Sequence, residues 1–316
     1  MKECDVVVVG GGAAGLSAAL VLVRARRMVV VVDAGAPRNA PAAHMHGFLS
    51  RDGMPPRELL TAGRAEVSSY GGRLIDDTVV GVEPGFHVRL ASGAHLRTRR
   101  ILVATGLRDE LPDLGVRERW GRDLLHCPYC HGYEVRDQPL GVLGGAPEAV
   151  QHALLVRQWS SDVTLFPHSD ALSSEQREQL TARGIRIVEG TVTRLVVDND
   201  HLHGVELTGG TVVPRAAVFV RPRFVPNADL LTGLGCAVDA HGWVVHDPVG
   251  RTSVAGVWVA GNAADPRAQV ISAAGEGSAA AIALNADLVD EDVKRALTDH
   301  RAGHAASSPA LPTSSF

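Results

Sequence analysis

At 316 residues and 45% apolar, the chain is long enough to bury the cores of two ordinary domains. Net charge is −4, lysine occurs only as Lys2 and Lys294, and no basic run appears, which excludes an electrostatic footprint for nucleic acid or an anionic membrane. No signal-peptide succession follows "MKECD", and no apolar run reaches the roughly eighteen residues of a membrane span, so a cytoplasmic, reducing setting is expected.

Residues 5–33 read as strand, glycine turn, helix and strand: "DVVVVG" and "MVVVVD" are buried-strand runs, and "AAGLSAALVLVRARR" has helical apolar spacing. Residues 34–70 hold the irregular "HMHGFLSRDG" and then a helical stretch from Pro56 to Tyr70. Strands follow over about 73–100, and "RRILVATG" ends another buried strand on glycine. Near residue 140 the pattern restarts with "QPLGVLGGAPEAVQHALLVRQW", a second strand, glycine turn and helix. "DVTLF", a helix over about 173–183, and the strands "IRIVEG", "VTRLVVD" and "LHGVELT" complete that unit. "GVWVAGN" is a late buried strand ending on glycine, followed by the helix "AAGEGSAAAIALNADLVDED". The small, polar, Pro-containing end, 301–316, is expected to be disordered.

The first glycine turn has G-x-G-x-x-G at Gly10, Gly12 and Gly15, directly after a strand and opening a helix. Gly10 permits the turn, Gly12 the approach of a pyrophosphate to backbone, and Gly15 close packing of helix on strand. Asp33 stands at the end of the second strand, where a carboxylate accepts from ribose hydroxyls. Together these predict dinucleotide binding.

Two of the four cysteines form "HCPYCHGYE", residues 126–134. By itself this segment admits haem attachment through C-x-x-C-H, half of a zinc site, or a redox dithiol. A reducing compartment counts against haem. Cys4 and Cys236 read as small buried hydrophobes.

With its early GxGxxG, its "VATG" and "VAGN" segments and a Cys pair beside a second glycine turn, the chain resembles the low-molecular-weight thioredoxin reductases over about residues 4–295. The resemblance implies an α/β protein of two Rossmann-like dinucleotide-binding domains, the second inserted into the first. The FAD-binding domain would be 1–117 plus 245–300, and the NAD(P)-binding-like domain 118–244 would carry the C-x-x-C. By the same resemblance FAD contacts fall on Gly10, Gly12, Ala13, Ala14, Gly15, Asp33, Arg38, Asn39, His46, Val80, Ala104, Thr105, Gly106, Gly261, Asn262, Gln269 and Val270. Asn262 replaces the family's usual Asp; an amide still donates and accepts, so FAD binding is expected to survive. In this frame Cys127 and Cys130 are a redox pair rather than a metal site, because His131 adjoins Cys130 too closely for good tetrahedral geometry.

Two departures point to one branch. His131 stands where thioredoxin reductases have an acid, and "CxxCHGYE" with "HMHGFLSRDG" resembles the dithiol oxidases of gliotoxin- and holomycin-type pathways. The second glycine turn, Gly144-Gly145-Ala146-Pro147-Glu148-Ala149, puts a Cβ and a missing amide where a pyrophosphate should approach. Phe166-Pro167-His168-Ser169-Asp170 has no arginine for a 2′-phosphate, nor an acid right at the strand end for NAD.

The expectation is an FAD-dependent oxidase that closes a disulfide in a small-molecule dithiol, with O2 as acceptor and H2O2 as product. Cys127 would exchange with substrate, Cys130 would face the flavin, and His131 would be the general acid/base, an imidazole being poised near neutral pH. His44, His46 and His126 are weaker acid/base candidates. No partner beyond substrate, O2 and a second copy in a homodimer is expected, neither nucleic acid nor membrane. The alternatives are an NAD(P)H-dependent thioredoxin-reductase-like disulfide reductase, and a non-catalytic flavoprotein sensor.

Overall fold

The computed structural model describes residues 2–115 and 117–307. The valine runs form continuous strands buried on both faces: β1 (Lys2–Val9) and β2 (Val29–Asp33) flank α1 (Ala13–Arg24). Helix α2 (Pro56–Ser69) starts on proline, whose missing N–H costs nothing at a first helical position. Then come β3 (Arg73–Asp76), β4 (Val79–Glu83), β5 (His87–Leu90) and β6 (His95–Val103).

After β7 (Leu107–Glu110) the chain enters a second unit through β8 (Leu124–Leu125) and the single turn α3 (Pro128–His131). Strand β9 (Leu140–Leu143), helix α4 (Ala149–Val156) and β10 (Val163–Phe166) restart the nucleotide-type pattern. Helix α5 (Ser174–Ala182) is closed by a Ser173–Gln176 capping box and leads to β11 (Arg186–Ile187). A meander, β12 (Val192–Asp198), β13 (His201–Leu207) and β14 (Val212–Pro214), precedes β15 (Ala217–Phe219). The chain returns through β16 (Arg223–Pro226) and α6 (Asp229–Gly233) to β17 (Val257–Val259) and α7 (Val270–Ser307).

The first sheet has the order β3-β2-β1-β6-β5-β4, with β17 also pairing β6 in parallel. The second is β11-β10-β9-β15-β8, its pairings parallel. The point of exit and the point of return lie side by side: β7 pairs β16 antiparallel, and the Thr105 hydroxyl and Asn227 amide bond each other's carbonyls at 2.8 and 2.9 Å. Buried Arg119 ties the entry to the second unit, since it pairs with Asp123, whose carboxylate also accepts the Leu202 N–H at 2.9 Å.

Helix α7 runs to Ser307, past residue 301 where the tail is expected to begin, because "VKRALTDHRAGHAAS" is rich in helix formers and has no proline before Pro309. Residues 308–316 of that predicted tail lie outside the described residues. No described helix is long and apolar enough to cross a membrane.

Helices α1 and α7 cross where Gly277 meets Ala14, and a Cβ on Gly277 would strike the Ala14 carbonyl. Gly275, two residues earlier in α7, faces open space. Gly277→Ala is therefore expected to lower unfolding free energy by about 1–3 kcal/mol. Gly275→Ala should raise it by about 0.5–1 kcal/mol through the helix preference for alanine. Urea denaturation of the two variants checks the opposite signs.

Candidate redox site

The first glycine turn is a backbone cradle. Gly10 adopts φ +104°, and a Cβ there would strike the Ala104 carbonyl; one on Gly15 would strike the Gly10 carbonyl. Gly12 faces open space, no side chain caps α1, and its first turn carries no acid. The amides of that turn are thus left for an anion at a helix N-terminus. Asp33 accepts the Gly11 N–H at 3.0 Å and lies 3.4 Å from Arg64. Gly261, at φ +70°, closes the cradle against Ala14, and its N–H donates to Glu276 at 2.9 Å. Burial pushes the Glu276 carboxyl above its ordinary range. Gly10, Gly12, Ala13, Ala14, Gly15, Asp33, Ala104 and Gly261 are therefore gathered around one space, and their chemistry fits a pyrophosphate with a ribose beside it.

Arg38 grips Asp109 through two nitrogens at 2.7 and 2.8 Å and reaches the Asn262 Oδ1 at 3.3 Å. The Asn262 amide donates to the carbonyls of Asp265 and Ala268 at 2.9 and 3.0 Å. An aspartate could accept from Arg38 but could not donate to those carbonyls, so the amide here shapes the turn that delivers Gln269 and Val270. Gly47 packs near Gln269. Val80 lies on β4 with its side chain 53% exposed, and no hydrogen bond among the described residues joins it or the Asn39 side chain to this set.

Cys127 and Cys130 are joined in a disulfide, with Cα atoms 5.2 Å apart across α3. The Cys127 carbonyl accepts from the amides of Cys130 and His131 at 3.1 Å each, and Gly132 lets the turn sit on the Trp159 ring. His126 donates from Nδ1 to the Val220 carbonyl at 3.1 Å and stands edge-on to Phe224, over which Arg38 also lies. Phe224 thus carries the Cys segment on one contact and the glycine-turn unit on another. Beneath, His152 Nε2 donates to the His126 carbonyl at 2.9 Å, while its Nδ1 is buried without a partner among the described residues. Burial holds the His152 pKa down to about 4 and lowers that of His126.

Both ring nitrogens of His131 are buried without a hydrogen-bond partner among the described residues. Burial lowers its pKa, Glu134 opposes that effect, and His46 adds to it. The ring is therefore neutral at pH 7, with a lone pair able to take a thiol proton. His46, expected at the cofactor, stands between two carboxylates: its Nε2 lies 3.4 Å from Glu134 and its Nδ1 3.4 Å from Asp52, which accepts the Gly47 N–H at 2.8 Å. The segments "HMHGFLSRDG" and "HCPYCHGYE" meet at this contact. His44 is exposed, its ring 6.5 Å from that of His46. Sequence reasoning misses Glu134, Asp52, Asp109 and Glu276; only Glu134, three residues after His131, carries a local signal.

At the second glycine turn the sequence expectation needs one correction. Asp170 is not at the strand end, yet it reaches back to accept the Gly145 N–H at 2.6 Å, as Asp33 does from Gly11. Four residues beyond β10, it is too far along for a strand-end rule to find. Around it lies a cavity of about 410 Å3 bounded by Gly144, Ala146, Pro147, Asp170 and Gln176 among others, with no basic side chain in its wall. Helix α4 begins only at Ala149, with Glu148 at its N-cap and Pro147 before it, so carboxylate and proline stand where pyrophosphate would need amides. No group of three or more His, Cys, Asp or Glu side chains placed to hold a metal ion is found among the described residues.

Residues 4–278 match the family described as pyridine nucleotide-disulphide oxidoreductase. "Thioredoxin reductase sirT" of Leptosphaeria maculans is 30% identical, covering 92% of this chain and 95% of that protein. The crystal structure of HlmI superposes with a TM-score of 0.92 at 61% identity, covering 97% of this chain and 98% of that one. Putative thioredoxin reductase TrxB from Bacillus anthracis follows at TM-score 0.87 and 33% identity, covering 92% and 99%.

Asn262→Asp sets a carboxylate against two carbonyls and is expected to cost about 1–3 kcal/mol at pH 7 in urea denaturation. His152 protonates near pH 6.5 when unfolded but only near 4 when folded. In that window the unfolded state binds more protons, so this contribution is complete above pH 6.5 and is lost as pH falls to about 4. His152→Gln should flatten the stability slope across that window by about 3 kcal/mol, read from denaturation midpoints at successive pH values.

Proposed function

Because the chain belongs to the pyridine nucleotide-disulphide oxidoreductase family and is a thioredoxin-reductase-like redox enzyme, we propose that it is an FAD-dependent dithiol oxidase that closes a disulfide in a small-molecule natural-product dithiol. The observation carrying this reading is the His131 ring, whose two buried nitrogens have no hydrogen-bond partner among the described residues, on the residue next to the Cys127–Cys130 disulfide. A disulfide can accept an incoming thiolate, and an imidazole with a free nitrogen can take the proton of the thiol.

A substrate thiol gives its proton to His131, and the resulting thiolate attacks Cys127. A substrate–Cys127 bond forms as the Cys127–Cys130 bond breaks, and Cys130 leaves as thiolate. The second substrate thiol then attacks the substrate sulfur in the mixed disulfide. It closes the product disulfide and releases Cys127; two electrons and two protons have passed to the protein. FAD, when bound, would supply a two-electron acceptor for the reduced Cys pair, with O2 as the terminal acceptor and H2O2 as the product. The residues that would hold it are those of the first glycine cradle, with Asp33 toward the ribose and Arg38 and Asn262 shaping the far wall. Tyr129, between the two cysteines, and Tyr133, three residues after Cys130, are each 64% exposed; Tyr129 stands edge-on to Trp159 and would offer its aromatic face to a small substrate, while Arg136 covers one face of Tyr133. A homodimer belongs to the same proposal, supported by the exposed apolar row Ile282, Val289, Val293 and Leu297 along α7.

The second reading, an NAD(P)H-dependent disulfide reductase, is favoured by the cavity at the second glycine turn. Pro147 and the lack of a basic side chain among the lining residues weigh against a phosphate there. Asp170 would further repel a 2′-phosphate, so NADH is the better tolerated donor of the two.

The test is anaerobic mixing of the flavin-loaded protein with NADPH, NADH or a small dithiol while the flavin band is followed. Bleaching by dithiol alone is expected, with peroxide on admitting air and at least about a hundredfold loss in Cys127→Ser or Cys130→Ser. Rapid bleaching by NADH or NADPH would return the chain to the reductases.

A further inference from the structure

The proposed chemistry asks a buried imidazole to become an imidazolium once per exchange. Neither ring nitrogen of His131 has a hydrogen-bond partner among the described residues. A cation formed there is desolvated and needs a counter-charge. The carboxylate that acts on it is Glu134, one turn further along the same segment. Glu134 is itself held: His46 Nε2 lies 3.4 Å from its Oε1, and Asp52 anchors the other face of His46 while accepting the Gly47 amide. A half-exposed imidazole–carboxylate contact contributes little to stability. Its effect is positional: a loop of the first unit fixes an acid belonging to the Cys segment of the second.

We propose that Glu134, held by the His46–Asp52 pair, is the positioning residue that supplies the counter-charge to His131 when the imidazole takes a thiol proton during thiol–disulfide exchange. The proposal rests on the exchange chemistry of the preceding section. Three groups face the imidazole electrostatically or through a neighbour. Glu134 raises its basicity from its own segment, His46 lowers it from the loop, and Asp52 steadies His46 from behind. Neutral His131 is the reactive form, so the exchange rate rises with pH through its titration. Without the Glu134 charge the ring becomes a weaker base: the inflection moves to lower pH and the plateau above it falls.

The experiment is the pH dependence, from 5 to 9, of anaerobic flavin bleaching by dithiothreitol in wild type, Glu134→Gln, Glu134→Asp and His131→Asn. His131→Asn identifies the inflection by losing it. Glu134→Gln is expected to shift it downward and lower the plateau about tenfold, a part of what a general base supplies. Glu134→Asp, which keeps the charge, should hold the plateau within about threefold of wild type. The titration of the His131 ring proton by NMR, assigned by its absence in His131→Asn, should move downward in Glu134→Gln in the same sense. An unmoved inflection and NMR titration in Glu134→Gln, with or without a uniformly slower rate, overturn the role of Glu134 and leave the oxidase reading standing. Failure of dithiothreitol to bleach the wild-type flavin overturns both.

Discussion

Close backbone contact around the first glycine turn is the constraint on which the rest of the molecule depends. At Gly10, Gly15 and Gly277 a single methyl group would meet a carbonyl oxygen of another element, so strand, helix and the returning C-terminal helix can share this space only as glycines. The approach puts the amides of α1 and the carboxylate of Asp33 around one opening. It also fixes where Gly261 and Asn262 arrive from the far end of the chain. Everything attached to α7 and β17 inherits its place from that contact.

From this frame the second unit is reached through few but specific links. The β7–β16 ribbon carries the backbone, and Phe224 on it receives Arg38 from one side and His126 from the other. His46 and Glu134 make a further bridge, and Gly121 packs near Pro41. Such sparse, polar linkage contrasts with the apolar clusters inside each unit, where valines and leucines are completely buried. Each unit has its own apolar cluster, whereas the contacts named between them are charged and aromatic.

What could be read from the residues alone divides along a physical line. Strand–turn–helix periodicity and the acid at Asp33 are local, so the first glycine motif and the restart near residue 140 were legible in the sequence. The adjacency of Cys130 and His131 was likewise visible as chemistry. The pairing of His46 with Glu134 joins residues 88 positions apart through tertiary folding alone, and no periodicity encodes it. Asp170 escaped because it arrives at Gly145 from a loop rather than from the strand end. The extent of α7 was underestimated because small residues such as those in "HRAGHAAS" suit a polar tail and a helix equally well.

The first sheet has a consequence for how the polypeptide is made. Its central strand β6 needs β17 as a neighbour, and α1 needs α7, although both partners are synthesised after the entire second unit. During translation the valine-rich β1 and β2 therefore wait without their covering helix, while residues 124–219 already hold every strand of their own parallel sheet. The inserted unit can collapse first, and the outer one closes around it only when Trp258 and the alanines of α7 leave the ribosome. Truncations that remove the end of this chain would strand the beginning, leaving an aggregation-prone nucleus of valines beside a properly folded insert.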